Sequence, residues 1–532
     1  MRAAILSLAL LPRLALAEGA PAQLSAPPPP PRVAVAIPAP GPSGPAGDPF
    51  PAGAPAAVGG EQAPSAPAPE FIKGELSHLG QVDLALQNNR AGVRLGYEYL
   101  DGFDYLRVTP TVDLRFGGLR MGFGIPMRLE MCRGDVALAG CVDISRLSVK
   151  PYDHRWTFRS QDWRSPSDFA RVIRYLGYGQ KEANLFVQVT QENAATVGHG
   201  GVMRRYFAGA DVARQRVSAE VDAYNDTGGF EAFVNDVVNP NLWTALAFVK
   251  PLSPFSQDPT ARSLSLGVTW GADLRAPTAL QPGATLVNVE RPLDLYRTRA
   301  VQLWGVDAEV KVVKTESWDV KPYVEWARLQ GAGSGLSLGV LTRASWGGKQ
   351  ALRFIVETRR FDANYLPSYF DTFYEIQKVQ YVEGREDPTA AAAPTKWEAV
   401  STRAGGPRMG YTLEATWSWV KAVSVSAGLE TATNPLVRSA YLHVEAPALS
   451  WLQFFATLHR RSFQGQSWFT AGAVDLPSTV FYSGARLRLL PILFVNGTAS
   501  QTFSFDRALG RYQSVKGFWV DMELGWEWAP KE

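Results

Sequence analysis

The sequence predicts an all-β chain: a transmembrane antiparallel up-and-down β-barrel of about 18–20 strands (16 at the least), with one short helix near 166–177. Three observations carry this. From residue 91 to the end, apolar and polar residues alternate with a period of two. The alternating runs are 9 to 13 residues long, where strands of soluble proteins average ~5–6. Tight turns also alternate with long polar connections, as in barrels with short turns at one end and long loops at the other.

The elements follow in order. Arg2, the apolar stretch 3–11 and Ala15-Leu16-Ala17 form a secretory signal peptide over 1–17. Residues 18–70 are rich in Pro, Ala and Gly, with five prolines from Pro27 to Pro31. Such a segment lacks the apolar side chains that offset ordering entropy, so it reads as a disordered periplasmic tether. A lead-in segment, 71–90, precedes the barrel at 91–528, and residues 529–532 form a tail.

Within the barrel, Val520, Met522, Leu524, Trp526 and Trp528 alternate with Asp521, Glu523, Gly525 and Glu527. Met409 to Trp419, Leu106 to Phe116, Leu119 to Met131 and Leu264 to Asp273 repeat the pattern, and eight further segments resemble them. Trp417, Trp419, Trp526 and Trp528 are expected at a membrane interface, where amphipathic rings settle. Gly117-Gly118, residues 347–349, residues 420–422 and Leu490-Pro491 are tight, whereas 274–300, 362–407 and 462–478 are long and polar. With the C-terminus in the periplasm, the long loops are extracellular.

One segment departs from period two. Ser165 or Ser167 can cap a helix, Pro166 or Asp168 suits its first turn, and Gly177 suits its end. Phe169, Val172, Ile173 and Leu176 would share a face, placing the helix in the lumen or at the periplasmic rim. Cys132 and Cys141, in an oxidising compartment, are expected to pair as a disulfide.

Composition excludes several function classes. The 53 Lys+Arg nearly balance 50 Asp+Glu, for a net charge of +3, against a nucleic-acid partner. Two cysteines and five histidines leave little for a metal or redox centre, and no cofactor is expected. None of His154, His199, His443 and His459 sits beside a nucleophile elbow, so no catalytic residue is assigned.

The informative residues face inward. Arg94, Arg107, Asp113, Arg115, Arg120, Arg128, Glu130, Glu414, Arg486, Arg488, Asp521 and Glu523 are expected to line the lumen. Antiparallel pairing about Gly117-Gly118 places Arg115 near Arg120 and Arg107 near Arg128, a basic column facing acidic residues across the lumen. Opposed charges of this kind admit polar solutes and disfavour apolar ones.

The chain resembles a Gram-negative outer-membrane β-barrel of porin-like build over residues 91–528, through its alternation and its aromatic last strand. Thr196-Val197-Gly198-His199-Gly200-Gly201 and Asn364-Tyr365-Leu366-Pro367-Ser368-Tyr369-Phe370-Asp371 look like segments of uncharacterised large barrels of high-GC bacteria. The resemblance implies a location in the cell outer membrane, contact with its lipids, and a terminal strand read by the barrel-assembly machinery. The expected function is a passive or gated pore for small hydrophilic solutes, not an enzyme. The alternative is a non-conducting component of an export, adhesion or motility assembly, docking a periplasmic protein through the tether. An outer-membrane hydrolase is the remote third.

Overall fold

The computed structural model describes residues 89–529, apart from 101–102, 132–157, 382–392, 464–478 and several shorter breaks. The expected signal peptide, the tether, nearly all of the lead-in, Cys132 with Cys141, and residues 530–532 lie outside the described residues.

Twenty-two segments pair into one sheet. Met127–Glu130 continues Leu119–Gly124 on the same neighbour, and Val313–Lys314 continues Tyr296–Glu309, so the ring has 20 strands. Every pairing is antiparallel. Asn89–Leu100 pairs with Arg511–Trp528 from Asn89 opposite Trp528 to Leu100 opposite Gly517, which closes the ring and removes its edges.

The alternation is inside-out relative to a soluble protein. Along Arg408–Trp419, Met409, Tyr411, Leu413 and Trp419 are exposed, while Thr412, Glu414 and Ser418 are buried. Along Arg511–Trp528, Phe518 to Trp526 are exposed at every second position, with Asp521 and Glu523 buried between them. Apolar side chains turned out and charged ones turned in are the arrangement of a barrel with an apolar surround.

Several boundaries differ from expectation. The strand expected from 119 to 131 is interrupted at Ile125-Pro126, where proline has no N–H for the ladder. The strand Ser265–Leu280 runs past the expected boundary at 273 and pairs on to Tyr296, with two register shifts that let it bend. Only Pro166–Ala170 of the expected helix is helical. It is capped by reciprocal bonds between Ser165 and Asp168. Val172, Ile173 and Leu176 form no helical face: Ile173–Gly179 is a wall strand, paired with Leu119–Gly124 and Leu185–Thr190. Pairing on both edges outweighed the local pattern.

The helix lies at the end opposite Gly117-Gly118, where Ser167 donates to Asp236 at 2.8 Å, and not at the short-turn rim. The division into short-turn and long-loop ends is not strict. Residues 250–264, with a helix at Pro259–Arg262, extend the short-turn end, and Gln330 to Gly333 make a tight turn at the other.

A ring of 20 strands encloses more space than its own side chains fill. The chain supplies the filling. Between Leu185–Thr190 and Ser218–Tyr224, which pair with each other, it leaves the wall and forms a hairpin of Ala194–Val197 and Met203–Phe207. The expected outward loop 362–407 also turns in: Tyr365, Tyr369, Phe370, Tyr374, Lys396 and Val400 are all buried. Val202, Met203, Tyr206, Phe370 and Tyr374 pack on Leu242, Leu246, Val301, Leu303 and Leu329. Phe207, Phe373 and Ile376 pack on Phe455, Tyr482, Phe503 and Tyr512. These two sets of wall strands are well separated around the ring, so the inserted segments span it.

Candidate functional site

The inserted segments form a waist inside the ring. Its centre is the turn from Gly198 to Gly201. Gly198 and Gly200 have φ of +60° and +87°, which residues with a Cβ adopt at a cost. A Cβ at Gly201 would come within 2.5 Å of the Glu325 carboxylate, which accepts from the Gly201 N–H at 3.1 Å. His199 stacks on Tyr323 at 3.9 Å, with Nε2 3.2 Å from Glu309 Oε2. Burial would lower the His199 pKa, but the hydrogen bond and charge of Glu309 raise it above the ordinary value.

The segments Thr196–Gly201 and Asn364–Asp371 meet here. The Ser368 N–H donates to the Gly201 carbonyl at 2.8 Å, the Phe370 N–H to Val202 at 3.2 Å, and the Arg204 N–H back to Phe370 at 3.1 Å. The Ser368 hydroxyl donates to the Gly200 carbonyl at 2.8 Å and the Tyr365 hydroxyl to Gly201 at 3.2 Å. The hairpin and the loop thus form one backbone-bonded unit.

Charged groups fasten that unit to the wall. Arg204 reaches Glu357 at 3.3 Å. Arg205 bonds Glu414, which also holds Arg353 at 2.7 Å, and lies 3.6 Å over the Tyr441 ring. Arg359 bonds both Glu357 and Glu430. Asp371 takes Arg461 and, at 3.2 Å, Lys396. Deeper in, Glu375 holds Arg216 and Lys378, each at 2.8 Å, and accepts from the Tyr206 hydroxyl. Burial alone would raise the Glu375 pKa; the Arg216 and Lys378 charges instead hold it down at about 2.

Between this unit and the wall strands Arg408–Trp419 to Leu452–Phe463 lies a cleft of about 90 Å³. Arg204, Arg205, Arg359, Arg461, His459 and Asp371 line it. Arg359 Nη2 and Thr412 Oγ1 are buried there without a hydrogen-bond partner among the described residues. Buried donors of this kind call for water or a polar solute.

The twelve expected inward residues fall into three places. Arg94 and Arg486 approach Glu523 at 3.1 and 3.5 Å, and Arg90 joins it to Asp113 at 3.2 and 2.7 Å. Asp521 accepts from Asn496 at 2.7 Å, and the partly exposed Arg488 is 3.6 Å from Glu527. In the second place, Arg115 lies opposite Arg120 and Arg107 opposite Arg128, the expected register. Their charges do not form a free column, however. Arg128 is held by Glu98 at 2.8 Å and Asp162 at 2.9 Å, and Arg107 lies 3.7 Å from Glu98 and 4.8 Å from the Trp519 ring. Arg120 donates to the Gly179 carbonyl at 3.3 Å; Arg115 and Glu130 are half-buried. Glu414 stands apart from both groups, in the waist.

Trp417, Trp419, Trp526 and Trp528 all lie at the short-turn end. Trp419, Trp526 and Trp528 are exposed, and Trp417 donates to Gln350 at 3.4 Å. Sequence reasoning missed Arg90, Arg204, Arg205, Arg359, Asp371 and Arg461. The available signal was the loss of strict alternation across Met203-Arg204-Arg205-Tyr206-Phe207, whose mixed sides mark a segment packed on more than one face.

No protein-family model matches the chain, and no curated protein is similar to it. Among solved structures it is similar to OccK10 (OpdN) of Pseudomonas aeruginosa, with 10% identity, a TM-score of 0.31, and coverage of 83% of this chain and 99% of that one. It is also similar to P. aeruginosa OccK2 (OpdF), solved in complex with glucuronate: 9% identity, TM-score 0.29, coverage 83% and 96%. Acinetobacter baumannii OccAB2 gives 7%, 0.29, 83% and 98%.

Proposed function

We propose that the chain is an outer-membrane pore that passes small hydrophilic solutes without catalysis, along the cleft between the inserted waist and the wall. The observation that carries this is the pairing of two surfaces. The outer face is apolar and exposed, as a lipid-facing wall requires, and the inner face keeps a cleft with charged side chains in its lining beside the filling segments. Five arginines line the cleft with Asp371 and Glu430, and Glu357 and Glu414 pair with Arg204, Arg359 and Arg205 from beside it, which leaves a small positive bias that favours anions at low salt. The orientation follows from the short turns, which sit with Asn89 and Trp528 at what we assign as the periplasmic end.

The test is planar-bilayer conductance of the refolded full chain. A small conductance with weak anion preference, falling as salt screens the arginines, is expected. Silence from the wild type and from variants with the waist loosened would overturn the pore. The fully buried aromatic packing of Tyr206, Phe370 and Tyr374 would then favour the second reading, a sealed barrel serving an assembly.

A further inference from the structure

The outer face carries a pattern that the pore itself does not need. Four strands each place one cation on that face at the long-loop end and then run apolar to the other end. Arg328, exposed, is followed on its face by Trp326, Val324, Pro322 and Val320. Arg360, exposed, is followed by Thr358, Val356, Phe354 and Leu352. Below Arg438 come Ala440, Leu442, Val444 and Ala446; below Lys516 come Phe518, Val520, Met522, Leu524 and Trp526.

Register puts these residues on the outside. Arg360 lies opposite the exposed Leu336 and Met409, and Arg438 opposite Thr431, itself opposite the exposed Tyr411. Arg328 lies opposite the exposed Trp304. Arg328 lies opposite Ser334 and Arg360 opposite Leu336, two residues apart on the one strand between them. No ion pair of Arg328, Arg360 or Arg438 occurs among the described residues. Two acids share the face at that end: Asp104 accepts from the Tyr97 hydroxyl at 2.6 Å, and the exposed Asp362, two residues beyond Arg360, accepts from the Ser334 N–H at 2.8 Å and its hydroxyl at 3.1 Å.

A guanidinium at the edge of an apolar wall sits at headgroup depth, with its stem on the apolar surface. Arginine's planar fork also suits phosphate oxygens. The other end of the same face carries tryptophans instead, among them Trp318, Trp346, Trp419 and Trp526. We infer that Arg328, Arg360, Arg438 and Lys516 form a collar that docks phosphate groups of the lipids in the leaflet at the long-loop end. This rests on the membrane reading above but not on conduction. It adds to that reading a lipid contact at the long-loop end.

The experiment uses the full chain in neutral detergent, titrated with phosphorylated lipid A and with the same lipid lacking its phosphates, followed by tryptophan fluorescence. At about fivefold per cation at low salt, the variant Arg328→Gln/Arg360→Gln/Arg438→Gln/Lys516→Gln should lose at least tenfold in affinity for phosphorylated lipid A. High salt should impose a similar loss on the wild type, and binding of the dephosphorylated lipid should not change. Equal affinity of variant and wild type, or indifference of the wild type to the phosphates, overturns the collar. Insertion of both proteins into phosphatidylcholine vesicles, with unchanged heat-shifted gel mobility, shows that the variant folds. Insertion by neither overturns the membrane reading, and the collar with it.

Discussion

Tyr374 donates its hydroxyl hydrogen to Asp273 at 2.9 Å, both residues buried, and so ties an inserted loop to the far wall of the ring. Tyr374 also packs edge-on against Phe370 at 4.9 Å and tilted against Tyr369 at 5.8 Å. At this point the loop is therefore held by an oriented polar bond set within an apolar cluster. Losing the bond leaves Asp273 with the Arg275 N–H at 2.9 Å and Lys378 at 3.7 Å.

Tyr374→Phe removes the bond and keeps the ring. The cost to waist docking is expected to be ~1–3 kcal/mol, the penalty for stranding a buried acceptor. Single-channel records should show larger or more frequent openings while the heat-resistant barrel band on gels persists. Unaltered conductance would mean that the loop does not limit the path.

Acid should loosen the same waist. The Glu375 pKa is held at about 2 against an ordinary 4.5. A depressed carboxyl contributes stability that is complete above the ordinary value and is lost as pH falls toward the depressed one. That amounts to roughly 3 kcal/mol. Through Glu375, open probability is expected to rise below about pH 4. Glu375→Gln should be open-prone at neutral pH and indifferent to acid.

Leu413 is exposed on the outer face, and its neighbour Thr416 faces the interior, sharing a hydrogen bond with Ser426 at 2.8 Å. Leu413→Arg should destabilise the barrel by ~2–4 kcal/mol in a bilayer, with Thr416→Arg costing far less. Urea unfolding in vesicles reads the difference. Equal costs would contradict a lipid-facing wall.

Arg128→Ser is expected to unfold rather than to retune selectivity. It would leave Glu98 and Asp162, both nearly inaccessible, without their shared cation; Arg107 at 3.7 Å from Glu98, and Arg159 and Arg171 at Asp162, replace it only in part, for a loss toward the low end of about 3–5 kcal/mol. Arg107→Ser keeps the Arg128 bonds and should fold. A folded Arg128→Ser barrel with shifted reversal potential would restore the free basic column that the sequence suggests.

The wall was legible because each strand obeys one local rule. Leu413 points out and Glu414 in, whatever their neighbours, and the register of Arg107 with Arg128 follows from a two-glycine turn. The waist was not legible, because its residues answer to partners far away in the chain. Tyr365 and Gly201 are 164 positions apart and Tyr512 and Asp211 are 301 apart, yet each pair shares a hydrogen bond. The same blindness misplaced the helix end: nothing local to Ile173 announces that strands waited on both its edges. It also turned paired charges into opposed walls, since composition shows that arginines and carboxylates coexist but not that Arg90 bridges Asp113 and Glu523.

The seam between Asn89–Leu100 and Arg511–Trp528 makes assembly a matter of timing. The first strand made waits for the last, so the ring cannot shut until translation has finished, and its closing contacts have the greatest sequence separation the fold allows. Such topologies fold slowly. Meanwhile the hairpin of Ala194–Val197 and Met203–Phe207 emerges before most of the strands that will surround it. It must be enclosed as the sheet curls, because a shut ring offers no side door. Sealing the seam and trapping the waist are thus coupled, and until they occur both terminal strands present unpaired edges.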